Sequence, residues 1–210
     1  MNATLLRAFG LLALTALSLG LTGCIAGNSA SSSFYVLAPS QEARPAPSAK
    51  ADGGKKPVIA MGPVYVAQYL DRPQIVSRSK GVRVSLAEFD RWAEPLDQSL
   101  TRILAEDVAR LAAGSAMVVP GRAEEDADAR VIVDVVRFDG ALGGEAVLVA
   151  WWNIRDHESR TLNRGRADYR QSAGSTYESL VEAQSMLVGK LAQDIATGVN
   201  GLGAIKLKNK

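Results

Sequence analysis

The feature that most constrains this 210-residue chain is its single cysteine, Cys24, which ends an N-terminal apolar run. Arg7 is the only charge before it, and from Leu11 to Leu21 the chain is Leu, Ala, Thr, Ser and Gly alone. A charged start, a short apolar stretch and a small-residue ending are the parts of a secretory leader. The stretch is too short for a bilayer span, which takes about 20 apolar residues. A secretory leader sends a chain to a compartment where disulfides persist, yet one cysteine cannot form an intramolecular bridge. Whatever folds after Cys24 must be held together by its own apolar core.

Composition permits such a core. Removing residues 1–23 takes away Arg7, so the 24 Lys+Arg become 23 against 22 Asp+Glu, a net charge of +1. A domain of this size buries roughly 70% of the surface its unfolded chain exposes and needs no staple. Near-zero charge gives no broad field for nucleic acid or an anionic surface. Lys206, Lys208 and Lys210 make residues 205–210 a basic, solvated tail.

The leader closes on Leu21-Thr22-Gly23-Cys24 rather than on an Ala-x-Ala site. This ending resembles the lipobox of bacterial lipoproteins. The resemblance implies that residues 1–23 are a signal peptide and that Cys24 carries N-acyl and S-diacylglycerol lipid, with no other cofactor. One acyl chain holds a protein only reversibly, at ~0.8 kcal/mol per buried methylene, whereas three make attachment effectively permanent. Residue 25 is Ile, where an inner-membrane retention signal would place Asp. The implied location is the outer membrane, lipid-anchored and facing the periplasm. Residues 24–33 form the lipidated start and a small, polar tether. Its nine residues after Cys24 reach at most ~30 Å.

The rest reads as one domain over residues 34–204. Phe34–Leu37 is a short strand, and 38–57, with four prolines and no apolar residue larger than Ala, is a linker inside the domain. Val58–Val66 is a strand that Pro63 pushes toward an edge or bulge. Gln74–Arg78 and Val82–Leu86 flank a Ser79-Lys80-Gly81 turn, with Val82, Val84 and Leu86 on a half-buried face. Leu96, Leu100, Ile103, Leu104, Val108 and Leu111 recur at helical spacing between Glu94 or Pro95 and Ala113. Met117–Val119 follows as a strand, and Gly121–Ala129 as an acidic surface loop. Arg130–Asp139, Glu145–Arg155 and Leu162–Gln171 read as an antiparallel meander. A last helix runs from Tyr177 to Val199, capped by Thr176 or Ser175. The expected class is α+β, a single domain with a mixed, mostly antiparallel sheet and two long amphipathic helices packed on one face. Trp151 and Trp152 are adjacent on one strand, so only one of them can point into the core.

Chemistry-bearing patterns are few. The one histidine, His157, sits in a turn between Asp156 and Glu158, without the second His of a zinc-protease helix. There is no Gly-x-Ser-x-Gly elbow, and Gly198-x-x-Gly201-x-Gly203 follows a helix rather than a strand, unlike a dinucleotide loop. Neither a catalytic set nor metal ligands are expected, and the chain reads as a non-enzyme.

Two blocks stand out: Tyr69-Leu70-Asp71-Arg72-Pro73-Gln74-Ile75-Val76-Ser77-Arg78 and Ala87-Glu88-Phe89-Asp90-Arg91-Trp92-Ala93-Glu94-Pro95-Leu96. Read locally, Asp71–Arg72 and Arg91–Glu94 are pairs that hold turns while Trp92 caps the core. The alternative is a partner-binding surface, where Arg and Trp are favoured anchors. Together with Phe34–Leu37 and the lipobox, the blocks resemble the auxiliary lipoproteins of ABC-type and MCE lipid-transport systems. The resemblance covers essentially the whole chain after Cys24. It implies a lipoprotein that docks a periplasmic MCE protein, PqiB- or MlaD-like, and through it an inner-membrane transporter, supporting envelope integrity. It also implies a homo-oligomeric ring as a possible assembly. The candidate docking residues are Tyr69, Asp71, Arg72, Pro73, Gln74, Arg91 and Trp92. The alternative is a structural envelope lipoprotein that stabilises another complex without contacting lipid.

Overall fold

The computed structural model describes residues 31–40, 56–78, 81–121 and 127–202. Cys24, the tether through residue 30, residues 41–55 of the linker, Ser79 and Lys80, residues 122–126 of the acidic loop and the basic tail lie outside the described residues.

The elements are β1 (Ser33–Tyr35), β2 (Val58–Val66), β3 (Gln74–Arg78), β4 (Val84–Trp92), α1 (Leu96–Leu111), β5 (Met117–Pro120), β6 (Ala129–Gly140), β7 (Glu145–Asp156), β8 (Thr161–Ser172) and α2 (Tyr177–Leu202). The class is α+β, as the patterns predict. The strands divide between two sheets, β1-β4-β3 and β5-β2-β6-β7-β8.

The five-stranded sheet is built on the expected meander. β6 pairs antiparallel with β7, and β7 with β8. Val131, Val133 and Val135 alternate into the core and are almost fully buried. The register then shifts between Val135 and Arg137, which reverses the alternation, so that Val136 is outside but Phe138, two residues on, is inside. β2 lies parallel to both β5 and β6, pairings that join segments some 60 to 70 residues apart in the chain. A second register shift falls between Met61 and Val64, where Pro63 has no N–H to give.

Both helices bury apolar stripes. On α1, Leu96, Leu100, Ile103, Leu104 and Val108 are buried. On α2, Leu180, Leu187, Leu191, Ile195 and Val199 are buried against β7 and β8. Burying each such side chain is worth ~1.5–3 kcal/mol. The Ser179 amide donates to Thr176 Oγ1 at 3.2 Å and caps α2. Of the tryptophan pair, Trp152 points inward, and Gly165 and Gly198 leave room for its ring. A Cβ at Gly165 would lie 2.6 Å from the ring and one at Gly198 2.9 Å from it. Trp151 points outward under the guanidinium of Arg166, 5.7 Å above its ring.

The N-terminal segment is tied across the helices. Leu37 is buried, the Ala38 amide donates to Ser185 Oγ at 3.2 Å, and the Ser40 amide donates to Asp107 Oδ2 at 3.1 Å. Arg110 donates to the Ser40 carbonyl at 2.7 Å and also pairs with the fully buried Asp107.

The small sheet departs from the sequence expectation. β4 begins at Val84 and runs to Trp92, so the second block is strand up to that point. Val82, Val84 and Leu86 do not face the core: they are 97%, 37% and 46% exposed. Alternation marks a strand with two distinct faces, but only packing supplies a layer opposite the apolar one. Here β3 keeps Ile75, Val76 and Ser77 buried and reaches β6 through Arg78, whereas on β4 only Ala87 and Trp92 are buried and the residues before Ala87 are exposed.

Candidate partner-docking groove

The two blocks meet in space. After β2, a tight turn is closed by the Leu70 amide to the Ala67 carbonyl at 2.8 Å and the Arg72 amide to the Leu70 carbonyl at 2.8 Å. Leu70 plugs the core beneath it. Pro73 then fixes φ as the chain enters β3. Its carbonyl accepts the Trp92 amide at 2.7 Å, so the start of β3 lies against the end of β4. Gln74 is opposite Arg91 in the ladder.

Beyond Trp92 the chain turns through Ala93, Glu94 and Pro95 into α1. Pro95 is the cap residue, and no side chain caps the helix. Glu94 is held by Arg102 at 2.5 Å. That hydrogen bond keeps its carboxyl below the usual range against a smaller opposing effect of burial.

Between turn and helix start lies a groove of about 320 Å³, lined by Asp71, Arg72, Pro73, Trp92, Ala93, Glu94, Pro95 and Leu96. Four of the seven residues singled out in the sequence, Asp71, Arg72, Pro73 and Trp92, therefore share one concave surface. Gln74 and Arg91 sit beside it on the sheet. The Nε atoms of Arg72 and Arg91 are shielded from solvent and have no hydrogen-bond partner among the described residues. An unmet buried donor of this kind costs ~1–3 kcal/mol until an acceptor reaches it.

Trp92 plays two parts. Its ring is 6% exposed and stacks on Phe138, centroids 6.4 Å apart, so most of it belongs to the core. Only its rim lines the groove.

Tyr69 is not in the groove. Its hydroxyl donates to Asp139 Oδ2 at 3.0 Å, and the Arg78 guanidinium lies 5.9 Å over its ring. Arg78 Nη2 reaches Asp139 Oδ2 at 2.9 Å, and Arg137 Nε reaches Oδ1 at 2.9 Å. Burial pushes the Asp139 carboxyl up, but hydrogen bonds from Arg78, Arg137 and Tyr69 outweigh it and hold the group below its ordinary value. Burial, then the Asp139 charge, pushes the Tyr69 hydroxyl up. This cluster joins the two sheets, a role the sequence does not announce because its members lie up to 70 positions apart.

A larger cleft of about 650 Å³ went unread in the sequence. It lies between the cis Gly62–Pro63 peptide, the first turns of α1, and Pro120 and Gly121. Only the proline inside β2 hinted at irregular backbone there. The one histidine, His157, is exposed in its turn, 3.7 Å from Glu158.

Comparison with known proteins supplies the family. The chain is similar to the intermembrane transport lipoprotein PqiC of Escherichia coli K12, 25% identical over 134 residues, which are 64% of this chain and 68% of that protein. PqiC of Shigella flexneri matches to the same extent. Among solved structures, protein XCC0632 from Xanthomonas campestris shares the fold with a TM-score of 0.66 at 14% identity, covering 83% of this chain and 99% of that one. An uncharacterised protein does so with a TM-score of 0.65 at 20% identity, covering 80% and 97%. Residues 35–196, which span the described strands and helices almost from end to end, match the ABC-type transport auxiliary lipoprotein component, and the chain belongs to that family.

Proposed function

We propose that this auxiliary lipoprotein is held in the outer membrane by lipid on Cys24 and docks a periplasmic MCE protein of an intermembrane lipid-transport system. The observation that carries the docking part is the groove between Asp71–Pro73 and Trp92–Leu96. Arg72 lines it and Arg91 lies beside it on the sheet, both with Nε donors that have no partner among the described residues, and its floor is proline-lined and partly apolar. Arginine and tryptophan are the residues that most often dominate binding energy at such surfaces. A partner loop offering carbonyl or carboxylate oxygens would satisfy those donors. The role is docking, with no reaction assigned to any side chain. Assembly of several copies into a ring around the partner belongs to the same proposal.

The test is co-purification of the MCE partner from detergent-solubilised envelope with wild-type and Arg72→Ala lipoprotein. A hot-spot arginine costs at least ~2 kcal/mol when truncated, close to a thirty-fold loss of affinity. The expected result is strongly reduced capture at an unchanged melting temperature. Full capture by a variant that melts like wild type removes the groove from the docking surface.

A further inference from the structure

Past the Arg78–Asp139 joint, the β4 side of the β3–β4 hairpin carries an apolar row that no other described residue covers. Residues 81–86 are all exposed, and Val82 at 97%, Val84 at 37% and Leu86 at 46% alternate with the exposed Arg83 and Ser85. Among the described residues, β4 is paired along its other side only where β1 meets it, at Asp90, Arg91 and Trp92. Its edge from Val84 to Phe89 carries no neighbouring strand among the described residues, so the apolar row and that edge coincide. In water such an arm invites association.

Its direction shows what it meets. β1 runs parallel to β4, with Ser33 opposite Asp90 and Tyr35 opposite Trp92. The N-terminal end of β1 therefore points the same way as the hairpin tip. From Gln74 to Arg78, β3 covers ~13 Å at ~3.4 Å per residue, and two further residues to Val82 add ~7 Å. The tip thus stands about 20 Å beyond the level of Phe34, which is opposite Arg91. Nine residues reach ~15–18 Å root-mean-square as a random coil and at most ~30 Å when extended. Reach of tether and projection of arm are equal within that span.

We infer that the Gly81–Leu86 tip of the β3–β4 hairpin is a membrane-contacting finger that seats Val82, Val84 and Leu86 in the interfacial layer of the bilayer carrying the Cys24 lipid. The inference rests on the acylation of Cys24 proposed above. Arg83 is placed to keep its charged head among lipid phosphates while its stem lies along apolar surface. The interfacial layer is wet enough to satisfy the bare backbone edge, which the hydrocarbon core is not. The finger would also orient the domain and set the groove at a defined height above the membrane.

The experiment uses the full lipoprotein with Val82→Cys, whose thiol is the only free one because Cys24 is blocked by lipid. It is labelled with an environment-sensitive NBD fluorophore and reconstituted in phosphatidylethanolamine–phosphatidylglycerol vesicles containing brominated lipid. A label at Ala93→Cys, at the far end of β4, is the control. The expected result is a blue-shifted emission at position 82, quenched at least twofold by brominated lipid, with position 93 unaffected. Vesicle-bound protein whose position 82 is unquenched, or quenched no more than position 93, overturns the inference. A blue shift that depends on protein density but not on bromine means a second copy covers the tip, and overturns it too. Protein that fails to float with vesicles overturns the Cys24 reading and this inference with it, a result seen in flotation before any quenching is measured.

Discussion

Arg78, at the end of β3, reaches across to Asp139 on β6 and donates from Nε and Nη2 to a carboxylate whose side chain has no exposed surface. With Arg137 and Tyr69 on the same carboxylate, the three-stranded sheet is tied to the five-stranded one at a single buried acid. The groove and the hairpin both include residues of the small sheet, so this joint, with the Trp92–Phe138 stack, sets how they sit on the five-stranded sheet.

Asp139→Ala leaves Arg78 and Arg137 without their shared acceptor. Breaking a buried pair costs ~3–5 kcal/mol. The two arginines are 21% and 33% exposed and water can partly replace the lost carboxylate, so the expected loss is toward the lower end, ~3 kcal/mol. Urea unfolding of the two proteins measures it. The pH dependence follows from the depressed carboxyl. Its stabilisation is complete above the ordinary carboxylate range and is lost as pH falls through the lower folded-state value, because the unfolded chain then binds the extra proton. Wild type should lose stability on acidification below about pH 4 more steeply than Asp139→Asn, which has nothing to titrate there. Parallel curves for the two would remove Asp139 as the cause.

Trp92 and Trp151 should behave oppositely. Trp92 is 6% exposed and stacked on Phe138, so Trp92→Ala should cost ~3–5 kcal/mol. Trp151 is 53% exposed and has mainly the Arg166 contact to lose, worth ~0.5–1 kcal/mol at an exposed site. Thermal melts of the two single variants give the comparison. Equal losses would contradict the core position of Trp92 at the end of β4 or the outward position of Trp151 on β7.

Two glycines near the end of α2 separate packing from propensity. Gly198 meets the Trp152 ring, where a Cβ would stand at 2.9 Å, whereas nothing lies within 4 Å of a Cβ at Gly201. Gly198→Ala should therefore destabilise by ~1–3 kcal/mol through overpacking. Gly201→Ala should be neutral or stabilise by up to ~1 kcal/mol, since alanine is the better helix former. Chemical denaturation of both variants checks the sign as well as the size.

Sorting of the lipoprotein is predicted from Ile25. On the proposed reading, wild type sediments with outer membrane and Ile25→Asp shifts it to the inner membrane. Density-gradient fractionation reads the outcome, and an unchanged distribution would show that residue 25 does not direct sorting here.

Sequence periodicity was enough for the ten elements in order and, β4 apart, nearly in place, because apolar spacing follows the repeat of each helix and strand whatever packs against it. The alternating valines of β6 and the Leu–Ile stripe of α2 are buried as their spacing demands. Adjacency on a strand likewise decided that only one of Trp151 and Trp152 could be inside. Chain pattern could not decide which elements become neighbours. The parallel union of β2 with β5 and β6, the division into two sheets and the Arg78–Asp139 joint all connect residues tens of positions apart. The same limit made Val82, Val84 and Leu86 read as a core face. Alternation defines a face, but whether another layer or open space lies opposite is settled only when the chain closes. Asp71–Pro73 and Trp92–Leu96 were distinctive as residues, and it took the 2.7 Å bond from the Trp92 amide to the Pro73 carbonyl to make them one groove. Tyr69, two residues from Asp71, was carried off to the buried acid, because a tight turn sends neighbours in sequence to opposite sides of the structure.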